Sequence, residues 1–204
     1  MALGVTMKRK VTTRGELERV ALELFVERGF DATTVEEVAA AAGIGRRTFF
    51  RYFASKNDVV WGEFDALLAD MARWLDGVDD EVPLWAAVAD AVVRFNSLPA
   101  AAMAAHRERM ELILHVPALQ AHSTLRYAVW RRVVADFAAR RLGVAAEDLE
   151  AQLVGHLALG TAVAAYEAWL ADSAAELPRL LRTAFERAGT VPGNYRATDG
   201  GDQR

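Results

Sequence analysis

The groups in this chain best suited to chemistry are guanidinium ions. Arg46, Arg47 and Arg51 fall within GIGRRTFFRYF, residues 43–53, interleaved with Thr48, Phe50 and Tyr52. A guanidinium presents a rigid fork of donors that fits the O6 and N7 acceptors of guanine or the oxygens of a phosphate. On a short helix with its apolar side anchored, arginines on the free side can enter a DNA major groove. Stepping 100° per residue from Phe49, the face shared by Gly45, Phe49, Tyr52 and Phe53 points inward, with Ile44 feeding the same cluster. Arg46, Arg47, Phe50 and Arg51 then point outward. An exposed Phe50 could cover a thymine methyl, or it could instead pack beneath a neighbouring helix. Thr48 and Tyr52 bring hydroxyls to the flank of the groove, although the Tyr52 ring could equally belong to the core. Lys56 could hold a phosphate together with the first N–H groups of the following helix, or stand as an ordinary solvated lysine. Thr34, ahead of the preceding helix, completes the candidate DNA-facing set. Which arginine would read a base and which a phosphate is left open.

Other reactive groupings are incomplete. GHLALGT, residues 155–161, has glycines spaced as in a phosphate-binding loop, but it lacks the lysine that must follow and sits within a helical pattern. Glu111 and His115 are one helical turn apart and could share a metal, yet no second acid and histidine pair accompanies them. The chain has no cysteine, which excludes disulfides, thiolate catalysis and cysteine-ligated zinc. Neither an enzyme nor a cofactor or metal site is expected.

The elements that must position the arginines are helical. The chain has 204 residues, 53% of them apolar and 25% charged, with five prolines and few β-branched runs. Leu17, Val20, Ala21, Leu24 and Phe25 follow the spacing of one helix face, ended by Gly29. Thr34 and Glu37 form a capping-box pattern ahead of Val35, Val38, Ala39 and Ala42, a second short helix stopped by Gly43. Small residues at that crossing suit the steep meeting of two helices in a helix-turn-helix. A third helix spans about 45–53, and Ser55 with Asp58 opens a long fourth to about Asp76. Further helices are expected at about 84–97, 100–115, 118–142, 147–171 and 177–188. The expected organisation is an all-α fold of about nine helices. Residues 1–57 form a DNA-binding domain with a basic arm (Lys8, Arg9, Lys10), 58–188 a ligand-binding and dimerisation domain, and 189–204 a disordered tail.

Net charge is −4 overall, but residues 1–60 hold ten Lys/Arg against eight Asp/Glu, and the remainder fourteen against twenty. The two parts differ in sign, as expected when only one meets an anionic partner. The longest apolar run, residues 157–166, is too short to span a bilayer, and no signal-like segment opens the chain, so a cytoplasmic protein with no membrane partner is expected.

The run AxxxGIxxxTFFxYFxSK, following a capped TxxEVA helix, resembles the DNA-binding domain of TetR-type one-component regulators. The resemblance extends over residues 14–188 and is most specific in the first sixty. It implies a homodimer, usually a repressor, that leaves its operator when a small molecule enters the C-terminal domain. Gly45 stands where that family often has a capping Ser, and Phe50 where a Tyr often touches phosphate. TFFRYFASKNDVVWGEFD is also similar to regulators found beside mycofactocin biosynthesis clusters.

In the second part, residues 147–170 are apolar around most of a helix, and Leu177, Leu180, Leu181, Ala184 and Phe185 form a stripe on the next. A two-fold four-helix interface would bury both, with Leu153, His156, Leu157, Gly160, Leu181 and Phe185 as candidate contacts; a bundle within one chain is the alternative. Trp61, Phe64, Trp85, Met103, Arg107, Met110, Tyr127 and Trp130 are candidate lining for an effector. Most large side chains at helical spacing are core. Mixed with them are His106, Arg109, Arg126 and other polar groups that would need partners if buried. The expected effector is largely apolar with a polar or anionic end, such as an acyl thioester, held by Arg107 or Arg109. Its binding is expected to act through the 55–76 helix on two recognition helices that read a palindromic double-stranded operator. The competing reading is a helical ligand-binding or adaptor protein without DNA-binding activity.

Overall fold

Thr13 and Glu16 open the first helix by bonding each other reciprocally. The Glu16 N–H donates to Thr13 Oγ1 at 3.2 Å while the Thr13 N–H donates back to the Glu16 carboxylate, so two N–H groups that a helix start leaves orphaned find acceptors. A computed structural model of the chain describes residues 13–190. In chain order they form α1 (Arg14–Arg28), α2 (Val35–Ala41), α3 (Arg46–Tyr52), α4 (Lys56–Val59), α5 (Phe64–Asp76), α6 (Leu84–Phe95), a 3-10 turn (Ala100–Ala102), α7 (Met103–His115), α8 (Pro117–Leu142), α9 (Leu149–Ala171) and α10 (Leu177–Thr190). No strand occurs among the described residues, so the fold is all-α. The expected basic arm lies outside the described residues, as does the expected tail apart from Gly189 and Thr190, which belong to α10.

The helices gather into two compact units. The described residues up to Asp65 join Leu98–Arg126 in one; Ala66–Ser97 and the described residues from Tyr127 onward make the other. Segment 98–126 thus clusters with the N-terminal helices, a grouping that linear order does not reveal.

In the first unit, Leu17, Ala21, Phe25, Val38, Ala42 and Phe49 are essentially inaccessible to solvent, and Phe30 and Phe53 nearly so. Gly43, at φ 68°, makes the turn from α2 toward α3, a backbone region that side chains other than glycine rarely enter. The long helix expected over 55–76 is two helices. Ser55 caps α4, but the chain turns at Gly62, φ 51°, before α5 begins. Val59, Val60, Trp61 and Phe64 are all buried, and a continuous helix would spread four such neighbours around its circumference; the turn lets all of them face one core.

In the second unit, α9 and α10 pack together and on α6. Trp85 Nε1 donates to the Phe185 carbonyl at 2.9 Å, with the two rings 5.2 Å apart. The buried Tyr166 hydroxyl donates to Asn96 Oδ1 at 2.5 Å, which satisfies a polar pair inside the core. Gly155 lets α9 approach α8 closely: a Cβ there would stand 3.0 Å from the Arg131 carbonyl. The sequence expectation that no segment could span a bilayer considered only an unbroken apolar run. As folded, α9 has 23 residues and is long and apolar enough by length and composition, with a third of that stretch buried against the chain.

Gly62 gives a direct test of this packing. A methyl group at position 62 would meet the Arg109 and Glu18 side chains in a strained backbone region, so Gly62→Ala should lower the unfolding free energy by about 1–3 kcal/mol. Gly15 lies in α1 with open space around it, and Gly15→Ala should raise the value by about 0.5–1 kcal/mol. Urea unfolding of both variants reads the contrast.

Candidate nucleic-acid interface and effector region

α3 is anchored along one side only. Phe49 and Phe53 are buried with ring centroids 5.9 Å apart, while Arg46, Arg47 and Arg51 are exposed. Phe50 is 42% exposed and sets its ring edge against Phe49 at 5.4 Å, so it stands at the surface rather than beneath a neighbouring helix. Gly45, expected on the inward face, is exposed instead and caps α3 with no side-chain bond, because it precedes the first helical turn and does not share the helix phase.

The arginines differ in their attachments. Arg46 Nε lies 2.8 Å from Glu36 Oε1, with the guanidinium 5.2 Å over the Phe50 ring. Arg51 stacks 5.1 Å over Tyr52 and donates weakly to its hydroxyl at 3.4 Å. Arg47 has no such bond or stack among the described residues. Thr48 and Tyr52 are half-buried. Thr34 serves α2: its hydroxyl accepts from the Glu37 N–H at 3.2 Å and donates to the Glu37 carboxylate at 2.8 Å. The Thr34 backbone and side-chain bonds hold the Glu37 carboxyl below the usual carboxylate range.

Lys56 corrects an expectation. It is not an ordinary solvated lysine, since its half-buried ammonium donates two of its three N–H groups to the carbonyls of Phe30 at 2.7 Å and Thr33 at 2.9 Å and lies 4.2 Å over the Phe30 ring. The ammonium takes up carbonyls left over where the chain passes from α1 to α2. Arg14, which sequence reasoning left unmarked, does similar work. It donates to the carbonyls of Tyr52 and Gly62, each at 3.2 Å, and lies 4.6 Å over the Phe53 ring, so it fixes the C-terminal end of α3. Only its place on the polar side of α1 was visible in the sequence.

The candidate effector residues divide between the units. Trp61 and Phe64, both buried with rings 5.2 Å apart, and half-buried Met103, Arg107 and Met110 belong to the first. Trp85, Tyr127 and the buried Trp130 belong to the second. Trp85 is taken up by its packing on α10, and Trp130 lies 6.5 Å from Phe95. A cavity of about 250 Å³ in the second unit is lined by Leu67, Asp70, Met71, Trp74, Ala91, Arg94 and Phe95, none of them in the expected set.

Two half-buried cations of the first unit, Arg126 and Arg109, have carboxylate partners. Arg126 bonds Asp58 at 3.0 Å and Asp65 at 2.7 Å. Burial pushes the Asp58 carboxyl up, but bonds from Ser55 and Arg126 and the charges of His122 and Arg126 outweigh it and leave it lowered. Arg109 on α7 pairs with Glu18 on α1. Burial, helped by the Arg109 charge, pushes His106 down to about 4, so it is neutral at pH 7. Glu111 and His115 form an exposed pair at 2.7 Å, and the described residues contain no group of three or more potential metal ligands.

Leu181 and Phe185 are corrected as interface candidates. Both are buried within the chain, because the α10 stripe packs on α9 and α6. The α9 candidates remain at the surface: Leu153 is 51% and Leu157 52% exposed, with His156 and Gly160 beside them and Leu149, 75% exposed, one turn before.

Known proteins match this arrangement of an anchored arginine-bearing helix and a helical second part. Residues 19–60 match the model of bacterial regulatory proteins of the tetR family, and residues 82–191 the model of the MftR C-terminal domain. The chain belongs to the TetR family. It is a TetR-family helix-turn-helix transcriptional regulator, and it is 43% identical over 182 residues to a Mycobacterium tuberculosis protein named as the mycofactocin biosynthesis transcriptional regulator MftR, covering 89% of this chain and 92% of that one. Among solved TetR-type structures, a regulator from Syntrophomonas wolfei superposes with a TM-score of 0.60 at 14% identity, over 91% of this chain and 97% of its own. FadR from Bacillus subtilis, solved in complex with stearoyl-CoA, superposes with a TM-score of 0.57 at 15% identity, over 86% and 97%.

Lys56 and Arg47 should separate in a stability measurement. Lys56→Met removes the donor from two carbonyls and should cost about 1–3 kcal/mol. Arg47→Ala should change unfolding by less than about 0.5 kcal/mol, as chemical denaturation of each variant would read.

Proposed function

We propose that the protein is a homodimeric repressor that binds a palindromic operator through α3 of each copy and leaves it when a largely apolar effector with an anionic end binds. The observation that carries this reading is α3 itself: Phe49 and Phe53 hold it from one side, and Arg46, Arg47 and Arg51 stand exposed on the other. Residues 1–57 are the DNA-binding part, with Arg46, Arg47, Thr48, Phe50, Arg51 and Tyr52 facing the duplex and Thr34 capping α2 at its edge. Residues 58–188 carry effector binding and dimerisation. Arg47 is the arginine most available to a base or a phosphate; Arg46 must first leave Glu36.

The exposed leucines of α9 supply the dimer contact. Leu149, Leu153 and Leu157 recur every four residues, with Gly160 and Ala164 continuing the stripe, and a second copy laid along it would remove that apolar surface from water. Such pairing also suits a cytoplasmic protein, since it gives α9 a partner other than lipid. A fatty acyl thioester is the effector class we favour. The fold-level likeness to an acyl-CoA-bound FadR supports it, as do the apolar residues that line the cavity, Leu67, Met71, Ala91 and Phe95. That cavity is smaller than a whole acyl thioester needs, so effector binding would enlarge it.

Gel-shift titration with DNA from upstream of the protein's own gene tests the reading. The wild type should form a sequence-specific complex whose affinity falls steeply with salt, and Arg47→Ala should weaken it by about 1–3 kcal/mol. Absence of any sequence-specific complex would favour a helical ligand-binding protein without DNA activity. Leu153→Glu with Leu157→Glu should give monomers in sedimentation and lose operator binding; an unchanged dimer would remove α9 from the interface.

A further inference from the structure

Arg109 joins a carboxylate pairing like that of Arg126 to two features that Arg126 is not seen to have. Its Nη2 donates to the Glu18 carboxylate, and the two side chains are 22% and 10% exposed. Its Nε is buried without a hydrogen-bond acceptor. The Gly62 backbone is pressed against the pair, where even a Cβ would stand 2.8 Å from Glu18 Oε1. The pair joins α7 to α1. One turn before Glu18 on α1, Arg14 donates to the Gly62 carbonyl and to the Tyr52 carbonyl at the end of α3. A line of direct contacts therefore runs from Arg109 through α1 to the arginine-bearing helix, within one compact unit.

Resting on the regulator reading above, we propose that Arg109 is an anion-binding site in which Glu18 sits as an internal occupant, and that the anionic group of the effector exchanges with Glu18 and so frees α1. Exchange rather than simple opening follows from the energetics of a buried ion pair. Attraction and desolvation nearly cancel for the intact pair, but a single charge left alone inside the protein is strongly unfavourable. Another anion that brings oxygens to Nη2 and to the unfilled Nε replaces the lost partner. Glu18 must then reach water, which it does only if α1 moves, and Arg14 loses its hold on α3. The neutral His106 on the same helix adds no competing positive charge. The carboxylate of a fatty acid and the phosphates of an acyl thioester share the chemistry this site would take.

The test measures operator affinity and probe affinity together, in full-length wild type, Glu18→Gln, Arg109→Gln and the double variant, using palmitoyl-CoA and, separately, palmitate as probes. Operator affinity should fall about tenfold in each single variant and no further in the double, as coupling through one contact requires. Probe affinity should move in opposite directions: about tenfold tighter for Glu18→Gln, where nothing need be displaced, and about tenfold weaker for Arg109→Gln. The probe that follows this pattern identifies the anion as phosphate or carboxylate. A pair that only stabilises the fold would lower the melting temperature of both variants and leave probe affinities unchanged or shift them alike, which would overturn the exchange. Should Arg109→Gln not fold, Glu18→Gln decides alone: unchanged or weaker probe binding overturns it. A wild type that holds the operator but neither probe also overturns the exchange while leaving the regulator standing. A wild type that holds no operator removes the regulator reading and the exchange together.

Discussion

A seven-residue helix cannot persist by itself in water, and the structure depends on how α3 escapes that limit. Nucleation costs more than so few hydrogen bonds return, so α3 takes its shape from tertiary contact. Phe49 and Phe53 supply it by filling a core whose other walls are Leu17, Phe25, Val38 and Ala42. Because Ala39 and Ala42 are small, α2 and α3 can cross steeply and closely, and the opposite side of α3 is left exposed. Arginines on that side cost the fold little. The same constraint that makes the helix marginal makes its outer face available.

The cations of the first unit sort by the company they keep. Arg14 and Lys56 donate to backbone carbonyls at helix ends, and Arg109 and Arg126 are paired with carboxylates. Arg46, Arg47 and Arg51 instead keep exposed heads, held at most by one surface carboxylate and one ring. Buried charge must be compensated and exposed charge need not be, so burial decides which cations remain for an outside anion. A count of Lys and Arg along the chain weights all of them equally. The modest excess over residues 1–60 therefore does not measure the outer face of α3, because Arg14 and Lys56 are counted although they serve backbone carbonyls, while Arg46, Arg47 and Arg51 share one exposed helix side.

Much of this was legible in the sequence. Helix ends were, since the capping box at Thr34 and the left-handed glycines at 29 and 43 are local chemistry. The outward set Arg46, Arg47, Phe50 and Arg51 was too, because helical phase needs only one anchor. Partners were not. Lys56 reaches carbonyls more than twenty residues away, and Glu18 finds Arg109 across 91 positions. The turn at Gly62 was missed for a related reason: an isolated glycine in a helical pattern is usually tolerated, and what forces the break is the shared burial of Val59, Val60, Trp61 and Phe64. The stripes of α9 and α10 look alike as spacings, yet Leu181 and Phe185 turn into the chain while Leu153 and Leu157 turn out. Periodicity says that a face will be covered and does not name what covers it. The effector candidates are spread over both units for the same cause, since large apolar residues mark the core of either unit equally well.

In the exchange proposed above, Glu18 is the residue that links effector binding to α3 without a dedicated hinge. It lies four residues from Arg14 on α1, about 6 Å along a continuous helix. Over that distance a helix moves as a rigid rod, so whatever displaces the carboxylate from Arg109 also displaces the guanidinium that holds the end of α3. Gly62 touches both events, with its Cα against the Glu18 and Arg109 side chains and its carbonyl on Arg14. Its left-handed backbone leaves no room for a side chain that could wedge the pair apart or cushion α1. The contact is thereby either made or broken, and a link of that kind can bias the orientation of α3 with one ion pair.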